Sequence, residues 1–243
     1  MHPALESVAH RPWPVPAGPW VMVQVWHDLL FAHWPIAFES LRPLVPPQLH
    51  LDMFDGKCWV GVVPFWMSGV RGRGMPAIPG LSRFPELNVR TYVTYRDKPG
   101  VYFFSLDAGS HMAVWGARAL YHLPYFYADM KVENVRDAIE YDSSRLVAQA
   151  EFRGRYGPIA PVERRQPGSL EHWLTERYCL YTVYRDTVYR GEIHHAPWQA
   201  QDASAKIGAN SMASAADIIL PDINPLLHFA KHQDVLIWPL ERA

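Results

Sequence analysis

Alternating side chains along most of the chain predict β-strands. From Trp20 onward the chain shows period two, first at Val21, Val23 and Val25, and this period is typical of a strand. Asp55-Gly56 is a hairpin signal between two such runs. The predicted strands cover residues 58–67, 86–96, 101–107, 125–133, 146–155, 178–184, 188–195 and 235–240.

Short helices are expected between these strands, at residues 35–44, 111–121, 169–176, 210–216 and 226–232. Ser169 is placed to cap the third of them. Residues 69–80 hold four glycines and two prolines and predict a loop. Because strands and helices do not alternate regularly, the pattern predicts a mainly β protein with an antiparallel sheet and a few short peripheral helices.

Proline sets the N-terminal segment apart. Nine of the 22 prolines lie in the first 47 residues, and Pro12, Pro14, Pro16 and Pro19 follow one another closely. Each fixes φ and removes an amide donor, so residues 1–19 are predicted to form an extended arm. No change in composition indicates a linker after it, and residues 20–243 are therefore predicted to form a single domain.

Charge and cysteine content limit the partners. The net charge of -1 provides no positive field that would hold nucleic acid or an anionic membrane. No apolar run reaches the 18 or so residues of a membrane span, and the N-terminus has no signal-peptide pattern. The two cysteines, Cys58 and Cys179, lie in apolar runs and are expected to be buried free thiols. A cytoplasmic location is the resulting expectation, with self-association left open.

Splitting the strands into faces identifies rows of polar side chains. Glu86, Asn88 and Arg90 share one face of a strand, and Tyr125 and Tyr127 share a face of another. These rows are either the solvent-exposed faces of an antiparallel sheet or the inner lining of a partly closed barrel that holds a ligand. Spacing alone does not separate the two interpretations.

Histidines give a weaker signal. Glu192 and His194 share one face of a predicted strand, whereas His195 takes the opposite face. Adjacent strand residues do not readily share a metal ion, so no metal site is predicted there. His228 and His232 lie in a predicted helix and are expected to be structural.

Longer strings of residues resemble a known family. The chain resembles the uncharacterised YqjF-like bacterial family over about residues 25–240, through the strings at 84–93, 100–107, 174–178 and 190–195. That family is similar in turn to the acetoacetate decarboxylase superfamily. The resemblance implies a cone-shaped antiparallel β-barrel with a ligand cavity.

The resemblance also implies a chemical difference. The decarboxylase forms a Schiff base on the first lysine of a pair, and the corresponding segment here runs from Gly116 to Phe126, with Tyr125-Phe126 in place of the lysines. A phenol cannot form an imine, so that mechanism is expected to be absent. Among the other lysines only Lys131 shares a strand face with Tyr125, and nearby Asp129 would raise its pKa instead of lowering it.

Two functions follow as hypotheses. The first is a small-molecule cavity protein, a lyase, hydratase or isomerase acting on an oxo-compound or organic acid by acid–base chemistry without a Schiff base and without a cofactor. The expected catalytic residues are Glu86, Tyr125 and His194. The expected ligand-binding residues are Arg90, Arg118, Asn88, Glu192 and Tyr127. The second is a non-catalytic small-molecule-binding protein that keeps the scaffold.

Overall fold

Twelve strands dominate the computed structural model, which describes residues 2–79, 81–147 and 149–243. They are β1 (Met22–Ile36), β2 (His50–Leu51), β3 (Cys58–Gly72), β4 (Phe84–Tyr95), β5 (Lys98–Ala108), β6 (Tyr125–Val135), β7 (Ala138–Arg145), β8 (Glu151–Pro158), β9 (Cys179–Tyr184), β10 (Thr187–His194), β11 (Ala200–Asn210) and β12 (Leu226–Arg242). The prediction of a mainly β fold is confirmed. Met1, Gly80 and Ala148, which belong to the predicted arm, loop and fifth strand, lie outside the described residues.

In the described part of the chain, three α-helices connect the strands: α1 (Phe38–Leu41), α2 (His111–Tyr121) and α3 (Leu170–Thr175). Single 3-10 turns occupy Pro3–Glu6, Arg42–Leu44 and Ser214–Ala216. The Ser169 hydroxyl accepts a hydrogen bond from the His172 amide at 3.2 Å, as predicted for a cap of α3. None of the described helices has the length and hydropathy needed to cross a membrane.

Hydrogen bonding closes the sheet on itself. Seven strands form a ring in the order β12-β1-β3-β4-β5-β9-β10, and β10 pairs again with β12. The strands β6, β7, β8 and β11 form a second path from β5 to β12. The sheet is mixed: β5 runs parallel to both β6 and β9, and the other strand pairings of the described residues are antiparallel, as predicted.

The main hydrophobic core lies on one side of the ring. Leu87 and Val89 of β4 and Val60 and Val62 of β3 are fully buried there. Because side chains alternate along a strand, the same burial turns Glu86 and Asn88 to the opposite side. The core therefore sets which residues of β4 face the inside of the ring.

Two predicted helices are wrong. Residues 226–232 belong to the long strand β12, which pairs with β1, β10 and β11. Residues 200–210 form β11 just before the predicted helix at 210–216, of which only the Ser214–Ala216 turn is present. Of the predicted strand at 146–155, residues 151–155 belong to β8, which pairs with β7 and β11.

The proline-rich arm lies against the ring. The Trp238 indole donates a hydrogen bond to the Gly18 carbonyl at 2.7 Å, and Arg11 and Trp13 both contact Glu192 of β10. His194 of β10 is covered by the arm through the Ala4 carbonyl, 2.7 Å from its Nε2. The arm is thus tied to one face of β10.

Candidate functional site

A cavity of about 290 Å³ lies inside the seven-strand ring. Each of the seven strands contributes to its lining, and α2 lies along it. The polar part of the lining consists mainly of Glu86, Asn88 and Arg90 of β4, with Thr175, Arg177 and His195. The predicted row on β4 therefore faces a cavity inside the ring and not the outer surface of the sheet.

Glu86 and Tyr125 form the central contact of the site. The Tyr125 hydroxyl donates a 2.7 Å hydrogen bond to Oε2 of Glu86. Burial raises the pKa of Glu86 to about 7; the Tyr125 hydrogen bond opposes this shift, and the charge of Asp107 adds to it. A carboxyl group with a pKa of about 7 exchanges a proton readily at neutral pH.

Arginines add positive charge to the wall of the same cavity. The Arg90 guanidinium is buried over the Phe31 ring, with its Cζ 5.5 Å from the ring centroid. Its Nη2 is 3.4 Å from the Leu174 carbonyl, and its Nε has no hydrogen-bond partner among the described residues. Arg90 therefore keeps donor capacity for an anionic or carbonyl oxygen.

Arg177 is a second buried arginine, and sequence reasoning missed it. Its Nη1 pairs with Asp52 at 2.7 Å and its Nε donates to the Trp173 carbonyl at 2.8 Å. Burial lowers its pKa, although the Asp52 charge opposes the shift. Its Nη2 has no hydrogen-bond partner among the described residues, so Arg177 adds both positive charge and donor capacity to the cavity wall.

His195 takes the place in the lining that was predicted for His194. Its Nδ1 lies 2.8 Å from the Ala196 carbonyl and its Nε2 lies 3.2 Å from the Arg177 carbonyl. Burial lowers the pKa of His195, which keeps the ring neutral near pH 7. A neutral ring donates through only one nitrogen, so His195 offers little acid–base capacity.

Glu192 and His194 are brought to the arm and away from the cavity. Glu192 binds Arg11, Trp13 and Lys98, each at 3.0 Å or less. Burial lowers the pKa of His194 to about 4. The prediction chose the wrong face of β10, because alternation defines two faces without showing which of them is covered by the arm.

Two further predicted ligand-binding residues also lie outside the lining. Arg118 is exposed on α2 and donates to the Tyr125 carbonyl at 2.6 Å. Tyr127 stacks on His111, with ring centroids 3.6 Å apart. The sheet thus brings together Glu86, Asn88, Arg90 and Tyr125 of the predicted site, and leaves Arg118, Tyr127, Glu192 and His194 apart.

Comparison with known proteins places the chain in a family. The DUF2071 family, described as an uncharacterized conserved protein, matches residues 23–234. The chain belongs to the DUF2071 family. It is also 53% identical, over 229 residues, to the uncharacterized protein YqjF of Bacillus subtilis (strain 168), covering 94% of this chain and 95% of that protein. The predicted YqjF-like resemblance is confirmed.

Solved structures show the same fold as this DUF2071 member at low identity. Acetoacetate decarboxylase from Legionella pneumophila aligns with a TM-score of 0.64 and 15% identity, over 97% of this chain and 93% of that one. The enduracididine biosynthesis enzyme MppR, in complex with pyruvate, aligns with a TM-score of 0.63 and 9% identity, over 97% of each chain. The acetoacetate decarboxylase-like fold is confirmed.

The lysines of the DUF2071 chain lie away from the cavity. Among the residues that the structure describes, no lysine belongs to the lining. Lys98 pairs with Glu192, and the exposed Lys131 pairs with Glu133, each at 3.0 Å. At the centre of the site, the position that the sequence comparison matched to a Schiff-base lysine holds Tyr125.

Proposed function

We propose that this protein binds a small oxo-compound or organic acid in the cavity and transfers a proton to or from it by Glu86, without a Schiff base. The observation that carries the proposal is the buried Glu86 carboxyl group, hydrogen-bonded to Tyr125, with a pKa of about 7. A general acid or base is most effective when its pKa lies near the working pH.

The neighbouring groups support a proton transfer next to a carbonyl group. The Glu86 carboxylate removes a proton from the carbon beside the carbonyl and becomes a carboxylic acid, and the electron pair moves to the carbonyl oxygen. Arg90 and the Asn88 amide, on the same face of β4, stabilise the negative charge on that oxygen. Return of the proton from Glu86 to a different atom of the enolate completes an isomerase step. In a hydratase or lyase step the enolate instead expels a leaving group from the adjacent carbon, and Glu86 gives its proton to that leaving group.

The shared fold supports the proposal only in that the same scaffold is found in enzymes. One solved neighbour is an acetoacetate decarboxylase and another is an enzyme solved with pyruvate. Both names involve oxo-acids, yet at 15% and 9% identity they show the fold alone. The chemistry proposed here rests on Glu86, Arg90 and Tyr125 of this chain.

Exchange of carbon-bound hydrogen in heavy water tests the proposal. The protein is incubated in D₂O with pyruvate or with 2-oxooctanoate, and deuterium at the carbon beside the carbonyl is followed by proton NMR. We expect exchange above the uncatalysed rate, its loss in Glu86→Gln, and its retention in Glu133→Gln, which alters an exposed carboxylate. Equal exchange rates in Glu86→Gln and wild type would refute the role of Glu86.

A non-catalytic binding protein is the second candidate. The observation that favours it is that no lysine belongs to the described part of the cavity lining. This candidate predicts saturable binding of an oxo-acid by calorimetry with no deuterium exchange. Exchange that depends on Glu86 excludes it.

We further propose that the protein works in a reducing compartment, the cytoplasm. Cys58 and Cys179 are both buried free thiols. Burial raises the pKa of Cys58 to about 11, which keeps it in the unreactive thiol form. Cell fractionation followed by immunoblotting tests this, and recovery outside the cytoplasmic fraction would contradict it.

A further inference from the structure

The cavity lining has a small polar part and a larger apolar part. Its charged groups come from one stretch of β4 and from residues 175–195, and its side-chain amides come from Asn88 of β4 and Gln24 of β1. The remaining wall is almost entirely hydrocarbon, including Met22 and Leu29 of β1, Phe65 of β3 and Phe103 of β5. Such a division matches a ligand with one polar head and an apolar body.

Helix α2 forms part of the apolar wall. Ala113, Gly116, Ala117 and Leu120 line the cavity, and their spacing of three or four residues places them on one face of the helix. Small residues along this face leave the cavity open. Leu120 lines the cavity and is nevertheless 68% exposed, so the cavity reaches solvent beside α2.

The size of the cavity agrees with this division. A volume of about 290 Å³ is close to the lower limit of pockets that enclose drug-sized ligands. A three-carbon acid held at Arg90 leaves the apolar wall near α2 without contacts. Apolar walls of this kind bind apolar groups in preference to water.

We propose that the ligand is an oxo-acid with an alkyl or aryl group of about six carbons or more, whose head lies at Glu86 and Arg90 and whose tail lies along α2. This inference rests on the proposed function and adds the substrate class. The length of the ligand's tail determines specificity, because the tail contacts the small residues of α2.

Isothermal titration calorimetry with straight-chain 2-oxo acids of three to ten carbons tests the tail. Burial of each additional methylene is expected to tighten binding roughly fourfold until the tail reaches α2. The affinity then levels off for longer acids. Equal affinity for pyruvate and 2-oxooctanoate would overturn the inference.

Gly116→Leu tests whether the tail of the ligand lies along α2. A Cβ built at Gly116 meets no heavy atom within 4 Å, so the new side chain enters the cavity without a backbone clash. Leucine also favours a helix more than glycine, which protects the fold, and thermal unfolding checks it. Ala119→Leu, on the exposed part of the same helix, is the control.

The expected result is a loss of at least tenfold in 2-oxooctanoate affinity in Gly116→Leu, with pyruvate affinity unchanged and Ala119→Leu like wild type. An equal loss for both acids would overturn the inference. If acids of all lengths bind equally and Glu86 still catalyses exchange, only the tail assignment fails. If no oxo-acid of any length binds, the proposed function fails as well.

Discussion

The Tyr125 hydroxyl reaches the Glu86 carboxylate across an intervening strand. Tyr125 begins β6 and lies opposite Leu106 of β5, and Leu106 in turn lies opposite Asn88 of β4. The 2.7 Å hydrogen bond to Glu86 therefore runs diagonally over β5. This contact depends on the parallel pairing of β5 with β6, which the sequence did not predict.

Removal of the Tyr125 hydroxyl is expected to raise the pKa of Glu86 further. The hydrogen bond from Tyr125 stabilises the charged form of the carboxyl group and opposes the effect of burial. The Glu86 carboxyl carbon is titrated by ¹³C NMR in wild type and in Tyr125→Phe. Tyr127→Phe, on the same strand but outside the cavity, is the control. An unchanged pKa in Tyr125→Phe would show that the hydrogen bond does not form in solution.

Glu86 is expected to make the fold less stable as the pH rises. Its pKa is about 7 in the folded protein and near 4.5 when exposed, so the folded state holds the proton more tightly. Its contribution is fully present below pH 4.5 and is lost as the pH rises through about 7, amounting to roughly 3 kcal/mol.

Urea unfolding of wild type and Glu86→Gln at pH 5 and pH 8 measures this loss. The difference between the two proteins isolates Glu86 from His195 and His33, whose lowered pKa values make the fold less stable as the pH falls. We subtract the free energy of unfolding of wild type from that of Glu86→Gln at each pH. This difference is expected to be larger, in favour of Glu86→Gln, at pH 8 than at pH 5. A difference that does not change with pH would contradict a raised pKa.

Sodium borohydride is expected to leave the protein unmodified in the presence of pyruvate. Imine formation needs an amine in the cavity, and no lysine belongs to its described lining. Intact-protein mass spectrometry after reduction measures the result, with a lysine-dependent aldolase as the positive control. A covalent pyruvate adduct at any lysine would refute the Schiff-base-independent mechanism.

Glu192 is expected to hold the arm on the ring. Its carboxylate accepts hydrogen bonds from the Arg11 and Trp13 side chains of the arm, and it lies 3.0 Å from the Lys98 ammonium group. Glu192→Ala leaves these groups unpaired, which should cost about 3 kcal/mol and release the arm. Hydrogen–deuterium exchange at the backbone amides of His10, Arg11 and Trp13 measures the release. Glu241→Ala, an exposed change on the neighbouring β12, should not alter this exchange.

Alternation predicted the row on β4 because one face of that strand is apolar and packs in the core, while the other face carries the polar side chains. Leu87 and Val89 contact the core, and this alone turns Glu86 and Arg90 inward. On β10 the same reasoning chose Glu192 and His194, because both faces of that strand are buried, one under the arm and one against the cavity. Contacts made by the distant arm decide this, and they leave no local signal.

Long-range pairing explains the other differences. Residues four apart share one side of a helix and also one face of a strand. The spacing of His228 and His232 is therefore compatible with either a helix or a strand. The segment became a strand because β12 pairs with β1 along eleven positions. Arg177 was missed because it lies between α3 and β9, where no periodicity indicates a direction.

Asp107 and Arg145 form a buried ion pair behind Glu86, and it is expected to position the start of β6. The Arg145 Nε donates to Asp107 at 3.1 Å, and its Cζ lies 3.9 Å from the centre of the Phe126 ring, next to Tyr125. Both charged side chains are almost fully buried. Removal of one partner therefore leaves an uncompensated charge in the interior.

Arg145→Met should destabilise the fold by about 3–5 kcal/mol, and adding Asp107→Asn should recover much of that loss because the second change removes the unpaired charge. Arg153→Met provides the contrast, since Arg153 pairs with Asp142 at 2.8 Å on the surface and its loss should cost less than about 1 kcal/mol. Urea unfolding gives the three free energies. If the single variant is no less stable than the double variant, the stabilisation does not come from the ion pair, and the position of Tyr125 depends on the β5–β6 pairing alone.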